Sequence, residues 1–313
     1  MLALIGILIV FAAVLGGFLL EKGNPFVLMQ PAELLIIGGA AAGIIVVANT
    51  PAVIHKMARG VLAAFRSPAL TRERFLENLR MLYEVFAYTQ RAGLLAMESD
   101  LEDPHKSQIF SNYPRFLKNA AIRNFVCDTM RIMVIGRSVP NELERLMDLD
   151  IQVQRSGRRQ PVNALMAVAD ALPGLGIVAA VLGVVITMGA VGGAATVVGQ
   201  NVAAALVGTF LGIFLCYGVV GPLASRLEHL NEGHHQFLLA TRIAIAAFAR
   251  GSSPFLAVEY ARRSVPVEVR PGFLELESAV RRTARIPAVP TPGVPVVPAP
   301  GVPEVQIAET QAA

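Results

Sequence analysis

Charge, cysteine and tryptophan are all scarce in this sequence. Only 16% of the 313 residues are charged and 54% are hydrophobic, whereas a typical soluble domain is about 25% charged. We therefore expect a membrane protein. The two cysteines, Cys127 and Cys216, imply no disulfide framework. Tryptophan is absent, so any aromatic belt at the membrane interface must depend on phenylalanine and tyrosine.

Several classes of function are disfavoured on the same grounds. A formal net charge of +4 is too small and too dispersed to indicate a nucleic-acid partner. No nucleophile triad, phosphate-binding loop or deaminase motif is present, so we expect neither an enzyme nor a cofactor. His234 and His235 are adjacent, so they cannot share a helix face, and no cysteine or carboxylate cluster accompanies them. We therefore expect no metal site.

Four apolar stretches each have about the 20 residues that cross a ~30 Å hydrocarbon layer. They cover Leu2–Leu20, Leu34–Ile54, Val168–Gly189 and Val202–Leu223. The first has no basic start and no small-residue cleavage site, so we expect a retained span and not a signal peptide. The predicted fold class is all-α: a polytopic membrane protein with four transmembrane helices and a helical cytoplasmic domain between the second and third.

The orientation follows from the loops. Residues 55–160 hold 17 Lys and Arg against 12 Asp and Glu, and further arginines follow the fourth span. The links between the first and second spans and between the third and fourth are short and nearly free of basic residues. By the positive-inside rule, the long loop and both termini are cytoplasmic.

Amphipathic patterns predict helices outside the membrane. Phe75, Leu79, Leu82 and Phe86 recur at helical spacing, and a second helix begins near Pro140. The proline-rich end is expected to form a mobile polyproline-like tail. The predicted division is two spans with a short link, a cytoplasmic rotor-facing domain, two further spans, a C-terminal cytoplasmic helical region and the tail, over residues 1–54, 55–163, 164–224, 225–286 and 287–313.

The spans lack an ionisable residue at mid-depth, because Asp170 and Glu33 lie near span ends. Ion-moving proteins usually have one, since such a group costs at least ~2.5–3.5 kcal/mol and is retained for function. The spans instead have small-residue faces, which let helices approach closely. These faces either pack against each other within the chain or form a seat for a helix of a partner that supplies the carboxylate.

Pro173 also allows two interpretations. It could be the first-turn proline of a helix that begins at Leu172, with Asp170 as its N-cap. Alternatively, it lies within a span, frees a backbone carbonyl and acts as a hinge at the inner mouth of an ion path.

Several motifs carry a family resemblance. The segments "QPAELLIIGGA", "LPGLGIVAAVLGVV", "AALVGTFLGIFLCYGVVGPLA" and "VRPGFLELE" occur in an order that resembles the MotA family of flagellar motor stator proteins. The likeness extends from Met1 to about Arg282. It implies a bacterial inner-membrane protein, five copies of which surround two copies of a MotB-type, peptidoglycan-anchored partner. It also implies that ion flow through this complex drives the rotor protein FliG.

The resemblance implies roles for individual residues. Pro173 and Pro222 match the two prolines that couple proton passage to movement, and Thr209 matches a threonine that faces the ion path. Asp170 and Tyr217 match positions near that path. Sodium-driven relatives have a second threonine where this chain has Ala180, so the comparison indicates protons.

The rotor contact departs from the family pattern. Gly93 and Glu98 match it, but Gln90 occupies the arginine position and Arg91 is the nearest basic residue. One helical position corresponds to about 100° of rotation, so Arg91 presents its charge in a different direction. The resemblance implies Glu98 and Arg91 as rotor contacts, although exposed charges on a helix are otherwise simply solvated.

Two rival functions remain open from the sequence. One is an energiser of the ExbB or TolQ type, which acts on an outer-membrane or cell-envelope system. Those relatives typically have three spans, with the large loop after the first. The other is a membrane scaffold without ion flux, in which Thr209 and Pro173 would tolerate substitution.

Overall fold

The computed structural model describes residues 2–66, 70–136, 139–189, 191–192 and 194–284. Within these ranges the chain forms helices and no strands. The α-helices are α1 Leu2–Leu20, α2 Pro31–Ala48, α3 Pro51–Arg66, α4 Arg72–Ala92, α5 Glu98–Glu102, α6 Pro114–Lys118, α7 Ala120–Ile135, α8 Pro140–Gly189, α9 Ala195–Leu215, α10 Gly221–Ala249, α11 Pro254–Ser264 and α12 Phe273–Ala284. The proline-rich tail, residues 287–313, lies outside the described residues.

Four helices of the described chain are long and apolar enough to cross a membrane, which confirms the predicted number of spans. The spans belong to α1, α2, α8 and the α9–α10 pair. The second differs from its predicted bounds, because α2 ends at Ala48 and a new helix begins at Pro51. Proline at position 51 lacks an amide hydrogen and disfavours a helical conformation at Thr50, so the helix stops there.

Helix α8 is a single element of 50 residues with Pro161 and Pro173 in its interior. It begins at Pro140, as predicted for the second amphipathic helix, and then continues into the third span without a break. Its first part is amphipathic, and its last part is apolar on all sides. Both α8 and α10 therefore belong partly to the membrane bundle and partly to the extramembrane domain, and they pass through the predicted boundaries at 163/164 and 224/225.

The extramembrane domain consists of α4–α7, α11, α12, the first part of α8 and the last part of α10. Phe75, Leu79, Leu82 and Phe86 of α4 are all 0–1% exposed, so the predicted helical face is confirmed. Helix α4 packs against α10, where the rings of Phe86 and Phe248 stack with centroids 4.4 Å apart. The predicted cytoplasmic domain, residues 55–163, and the predicted C-terminal helical region, residues 225–286, thus share one hydrophobic core.

Polar contacts fix the helices of this domain to one another. The Asn78 side chain donates a buried hydrogen bond of 3.0 Å to the Thr241 hydroxyl, which joins α4 to α10. The Arg242 guanidinium contacts the carboxylates of Asp148 at 2.6 Å and Glu144 at 3.5 Å, which joins α10 to α8. Buried polar groups are costly unless they have a hydrogen-bond partner. These contacts therefore favour the one packing arrangement in which each group is paired.

Candidate functional site

The small residues of the last two spans pack against each other. A Cβ atom added to Gly176 of α8 would lie 2.8 Å from the Gly208 carbonyl oxygen and 3.0 Å from the Gly212 Cα atom. One added to Gly183 would lie 2.8 Å from the Ala205 Cβ atom. Only glycine allows backbones to approach this closely. The structure therefore assigns these glycines to packing within the chain, and the seat for a partner helix stays a prediction.

Glu33 of α2 reaches into this α8–α9 seam. Its carboxylate packs against Gly208, which also lies against Ala179: a Cβ on Gly208 would lie 2.6 Å from Glu33 Oε2 and 3.2 Å from the Ala179 Cβ atom. The side chain is only 6% exposed, and Oε2 has no hydrogen-bond partner among the described residues. A buried polar atom without a partner is costly, so it is a candidate for function.

The position of Glu33 in the sequence does not reveal where its carboxylate lies. Glu33 does lie in the first turn of α2, at the end of its own span. Gly208, however, is 13 residues from the start of α9, about 20 Å along a helix. The carboxylate thus lies against the middle of α9. Only the packing of α2 reveals this, because the distance of a residue from the end of its own helix says nothing about a neighbouring helix.

Ala180 and Thr209 lie at the same level of the seam. Each follows directly after one of the two residues that meet there, Ala179 and Gly208. Both side chains are half-buried. The structure therefore brings these two predicted site residues to adjacent turns of α8 and α9, close to the Glu33 carboxylate.

Pro173 lies inside α8, 33 residues after the helix begins. The interpretation of Pro173 as a first-turn proline, with Asp170 as N-cap, is therefore wrong. Because proline has no amide hydrogen, the carbonyl of Ala169 loses its usual helical donor. The carbonyl of the preceding Leu172 points at α9, since a Cβ on Gly212 would lie 2.5 Å from its oxygen. The helix thus contains a proline where its neighbour approaches most closely.

Asp170 lies one turn before Pro173 and is exposed. Its carboxylate is within electrostatic range of the Cys216 thiol at the end of α9. Asp170 and Pro173 are thus both placed beside the region where α9 passes into α10.

A π-helical turn, Cys216–Val220, joins α9 to α10. Its i→i+5 hydrogen bond runs from the Gly221 amide to the Cys216 carbonyl. Pro222 follows immediately and cannot donate to the carbonyl four residues earlier, so the wider turn accommodates it. Tyr217, within the turn, is 73% exposed. This turn is not among the features predicted from the sequence, although π turns are frequent at functional sites and the Gly221-Pro222 pair is a signal for one.

Pro173 and Pro222 lie at different levels along the packed helices. Pro222 lies next to Leu223, which packs in one cluster with Leu165 of α8. Leu165 precedes Pro173 by eight residues, which is about 12 Å along a helix. The structure therefore places the prolines at successive levels of the helix pair.

The predicted rotor contacts lie at the far end of α4. The helix ends at Ala92, and Gly93 has a φ of 88°, a conformation that favours glycine. Glu98, the first residue of α5, and Arg91 are both exposed, and within the described residues neither forms an ion pair. Met97 and Leu101 are fully buried and hold this segment on the core. Gln90 is exposed as well.

Taken together, these features define an all-helical, four-span membrane protein with a small-residue helix seam and a helical domain between its second and third spans. Residues 4–93 match the family described as motility protein A N-terminal, and residues 117–237 match the MotA/TolQ/ExbB proton channel family. Motility protein A of Salmonella typhimurium is 37% identical over 281 residues, covering 90% of this chain and 95% of that protein. The chain therefore belongs to the motility protein A family.

Other relatives agree. Motility protein A of Escherichia coli K12 shows the same identity and coverage, and chemotaxis protein LafT of Vibrio parahaemolyticus is 33% identical over 87% of this chain and 96% of its own length. The solved structure of C. jejuni MotAB is similar with a TM-score of 0.72 at 18% identity, covering 87% of this chain and 98% of that chain. The flagellar MotAB stator complex of Bacillus subtilis is similar with a TM-score of 0.65 at 24% identity, covering 82% and 92%. Because both identities are below 25%, the two solved structures support the fold alone.

Proposed function

We propose that this chain is a stator subunit of the bacterial flagellar motor. With a MotB-type partner it forms a proton-conducting complex that converts the ion gradient into torque on the rotor. The observation that carries the proposal is the match to motility protein A over almost the whole of that protein's length. The gradient available to such a complex is ~2.3 kcal/mol per charge per 100 mV.

The alternative is an ExbB or TolQ-type energiser of the cell envelope. The match over residues 117–237 fits both functions, since its family description includes all three names. Residues 4–93, however, match a description specific to motility protein A, and the four candidate spans fit a stator. The stator is therefore the favoured function.

The proposed ion path runs along the α8–α9 pair. Thr209 and Ala180 lie near its middle, and Asp170 and Tyr217 lie near its inner end, by analogy with the family. The presence of alanine at position 180 favours protons, because it offers no hydroxyl group to replace part of a sodium ion's hydration shell. Asp170 is exposed and Glu33 is sealed within the seam. We therefore assign the carboxylate that carries the proton to the partner's span.

Pro173 and Pro222 are proposed to couple proton passage to movement. Each removes one helical hydrogen bond, so the helix can change its bend locally at a smaller cost than elsewhere. The contact between Leu172 and Gly212 then passes a bend of α8 directly to α9.

Glu98 and Arg91 are proposed to contact the rotor protein FliG. Exposed charges contribute only ~0–1 kcal/mol per pair, which suits a contact that must be released at each step. Arg91 stands in for the arginine that the family has at the position of Gln90.

The remaining proposals concern assembly and placement. Five copies are proposed to surround two copies of the partner in the bacterial inner membrane, with both termini in the cytoplasm. The proposed division of the chain is 1–54, 55–163, 164–224, 225–286 and 287–313. Here 55–163 is the rotor-facing domain.

The test is rotation of tethered cells that lack their own stator and express this chain with its cognate partner in sodium-free buffer. Rotation that stops on addition of a protonophore is the expected result. Rotation only in the presence of sodium would refute the argument from Ala180, and absence of rotation in both buffers despite assembly would favour the energiser.

A variant tests the coupling. Pro173→Ala is expected to insert and assemble but to lose most of its torque, because alanine restores the helical hydrogen bond to Ala169. Pro161→Ala is the matched control, since it makes the same change in the same helix but outside the predicted span. Full torque from Pro173→Ala would contradict the coupling role.

A further inference from the structure

A basic cleft lies where the extramembrane domain meets the membrane bundle. It has a volume of about 1130 Å³ and lies between α3, α4, α8, α10 and the segment that joins α6 to α7. Six basic side chains line it: Lys56, Arg59, Arg74, Arg115, Lys118 and Arg158. Glu77 is the one carboxylate in the lining, and it is already paired with Arg115 at 3.0 Å.

The other cations of the cleft lack counter-ions in the chain. Within the described ranges, no carboxylate oxygen lies within 4.0 Å of the charged nitrogens of Lys56, Arg59, Arg74, Lys118 and Arg158. These side chains come from four separate helices, α3, α4, α6 and α8, so the fold and not the local sequence brings the positive charges together. Such a concentration of like charge repels itself and attracts an anion.

One buried nitrogen atom in the cleft also lacks a hydrogen-bond partner among the described residues. His234 lines its inner wall, and the Nε2 atom of this side chain is buried without a hydrogen-bond partner among the described residues. Next to it, the Asn231 amide donates to the Arg158 carbonyl at 2.9 Å, which holds the backbone beside the Arg158 guanidinium. A buried polar atom without a partner indicates that something outside the chain satisfies it.

Part of the cleft lining is apolar, and we call this part the apolar wall. Ala63, Ile122, Leu227 and Leu230 lie along it. Helix α3 forms part of this wall and begins only three residues after α2, the second span, ends. Its buried Met57 and Ala64 pack on α8 and α10, and Lys56 and Arg59 remain exposed. The wall therefore lies close to the membrane surface, with positive charge beside apolar surface.

We propose that this cleft binds an anionic phospholipid of the phosphatidylglycerol or cardiolipin class. The headgroup phosphate is held by Arg59, Lys118 and Arg158, and the acyl chains follow the apolar wall towards the bilayer. Basic pockets beside transmembrane helices suit such headgroups, because phosphate meets several cations while the chains remain in apolar surroundings. The inference rests on the proposed function only for the leaflet, which the proposed orientation makes cytoplasmic.

The test uses the full complex of this chain with its partner, purified and incorporated into phosphatidylcholine nanodiscs that contain a minority of phosphatidylglycerol or cardiolipin. The lipids retained after detergent extraction are measured by native mass spectrometry. The double variant Arg59→Gln and Lys118→Gln is expected to reduce retention of anionic lipid by about 30-fold, since each Lys or Arg near an anionic surface contributes about fivefold. Retention of phosphatidylcholine is expected to remain unchanged.

Two further variants keep the test decisive. Lys106→Gln with Arg281→Gln removes the same charge from side chains that are 86% and 78% exposed and lie outside the cleft, and it is expected to retain the lipid. Arg59→Lys with Lys118→Arg keeps the charge within the cleft and is also expected to retain it. Equal retention in the glutamine variants of cleft and control would overturn the proposal.

A competition arm separates lipid from a soluble anion. Inorganic phosphate in millimolar excess is expected to leave the retained lipid in place, because it cannot use the apolar wall. Displacement of the lipid by inorganic phosphate would overturn the lipid assignment in favour of a soluble anion. Lipid retention is measured on the purified complex and does not depend on rotation of cells. A failure of the stator function is therefore distinguishable from a failure of this site.

Discussion

Gly212→Ala tests the closest approach of α8 and α9. The added Cβ atom would lie 2.5 Å from the Leu172 carbonyl oxygen and 2.8 Å from the Gly176 Cα atom. Both are backbone atoms, so neither can rotate away. Ordinary van der Waals contact begins at 3.4 Å, so the helices must separate by about 1 Å at this point. Overpacking of this kind costs about 1–3 kcal/mol, which is roughly 5- to 150-fold in the folding equilibrium.

The measurement is equilibrium unfolding of the purified subunit in mixed dodecyl sulfate micelles, followed by circular dichroism. Gly199→Ala is the matched control, since it makes the same change on the same helix at a position with no atom within 4 Å. We expect Gly212→Ala to unfold at a lower dodecyl sulfate fraction and Gly199→Ala to match the wild type. Equal stability of both variants would refute the close backbone contact.

Three further predictions concern charged side chains. Glu33→Gln fills the same space without a charge, so we expect the complex to withstand the same or a higher temperature before aggregating in size-exclusion chromatography; a loss of stability would show that a neighbouring chain pairs this carboxylate. Glu98→Lys is expected to reduce the speed of tethered cells at high load while membrane insertion remains normal. The double variant Glu98→Lys with Arg91→Glu, which exchanges the two charges, is expected to restore part of the lost speed. Unchanged speed in both the single and the double variant would remove this surface from the rotor contact. The Arg262 guanidinium holds the pKa of the Glu259 carboxyl below its usual value near 4.5. The ion pair therefore stabilises the fold at neutral pH, and this stabilisation is lost as the pH falls below 4.5 and through the lowered pKa of Glu259. Glu259→Gln is expected to cost about 1–3 kcal/mol at pH 7 and to flatten the acid-side fall of stability, and an unchanged acid limb would contradict this assignment.

Much of the fold follows from periodicity in the sequence. The spacing of Phe75, Leu79, Leu82 and Phe86 predicts a helix with one buried face, and all four side chains lie in the core. The four spans were equally evident, because about 20 apolar residues have few other structures open to them. These signals are local, so a single sequence contains them.

The course of α8 and the geometry of the seam could not be predicted in this way. Pro161 and Pro173 suggest helix ends, since proline removes a hydrogen bond. In the structure α8 continues through both, because its packing against α9 and α10 compensates for the lost bonds. The small residues of the seam were found, but which surface they contact depends on a neighbouring helix. The same applies to Glu33, whose neighbour Gly208 is distant in sequence.

The length of α8 has a mechanical consequence. The helix extends without interruption from Pro140 to Gly189, so the part between Pro140 and Pro173 is an arm of about 50 Å. Its base lies in the membrane, and its tip lies in the domain that carries Glu98. A change of about 5° in the bend at Pro173 would move that tip by about 4 Å. A small rearrangement at Pro173 is thereby amplified into a displacement of the size of a side chain at the opposite end of α8.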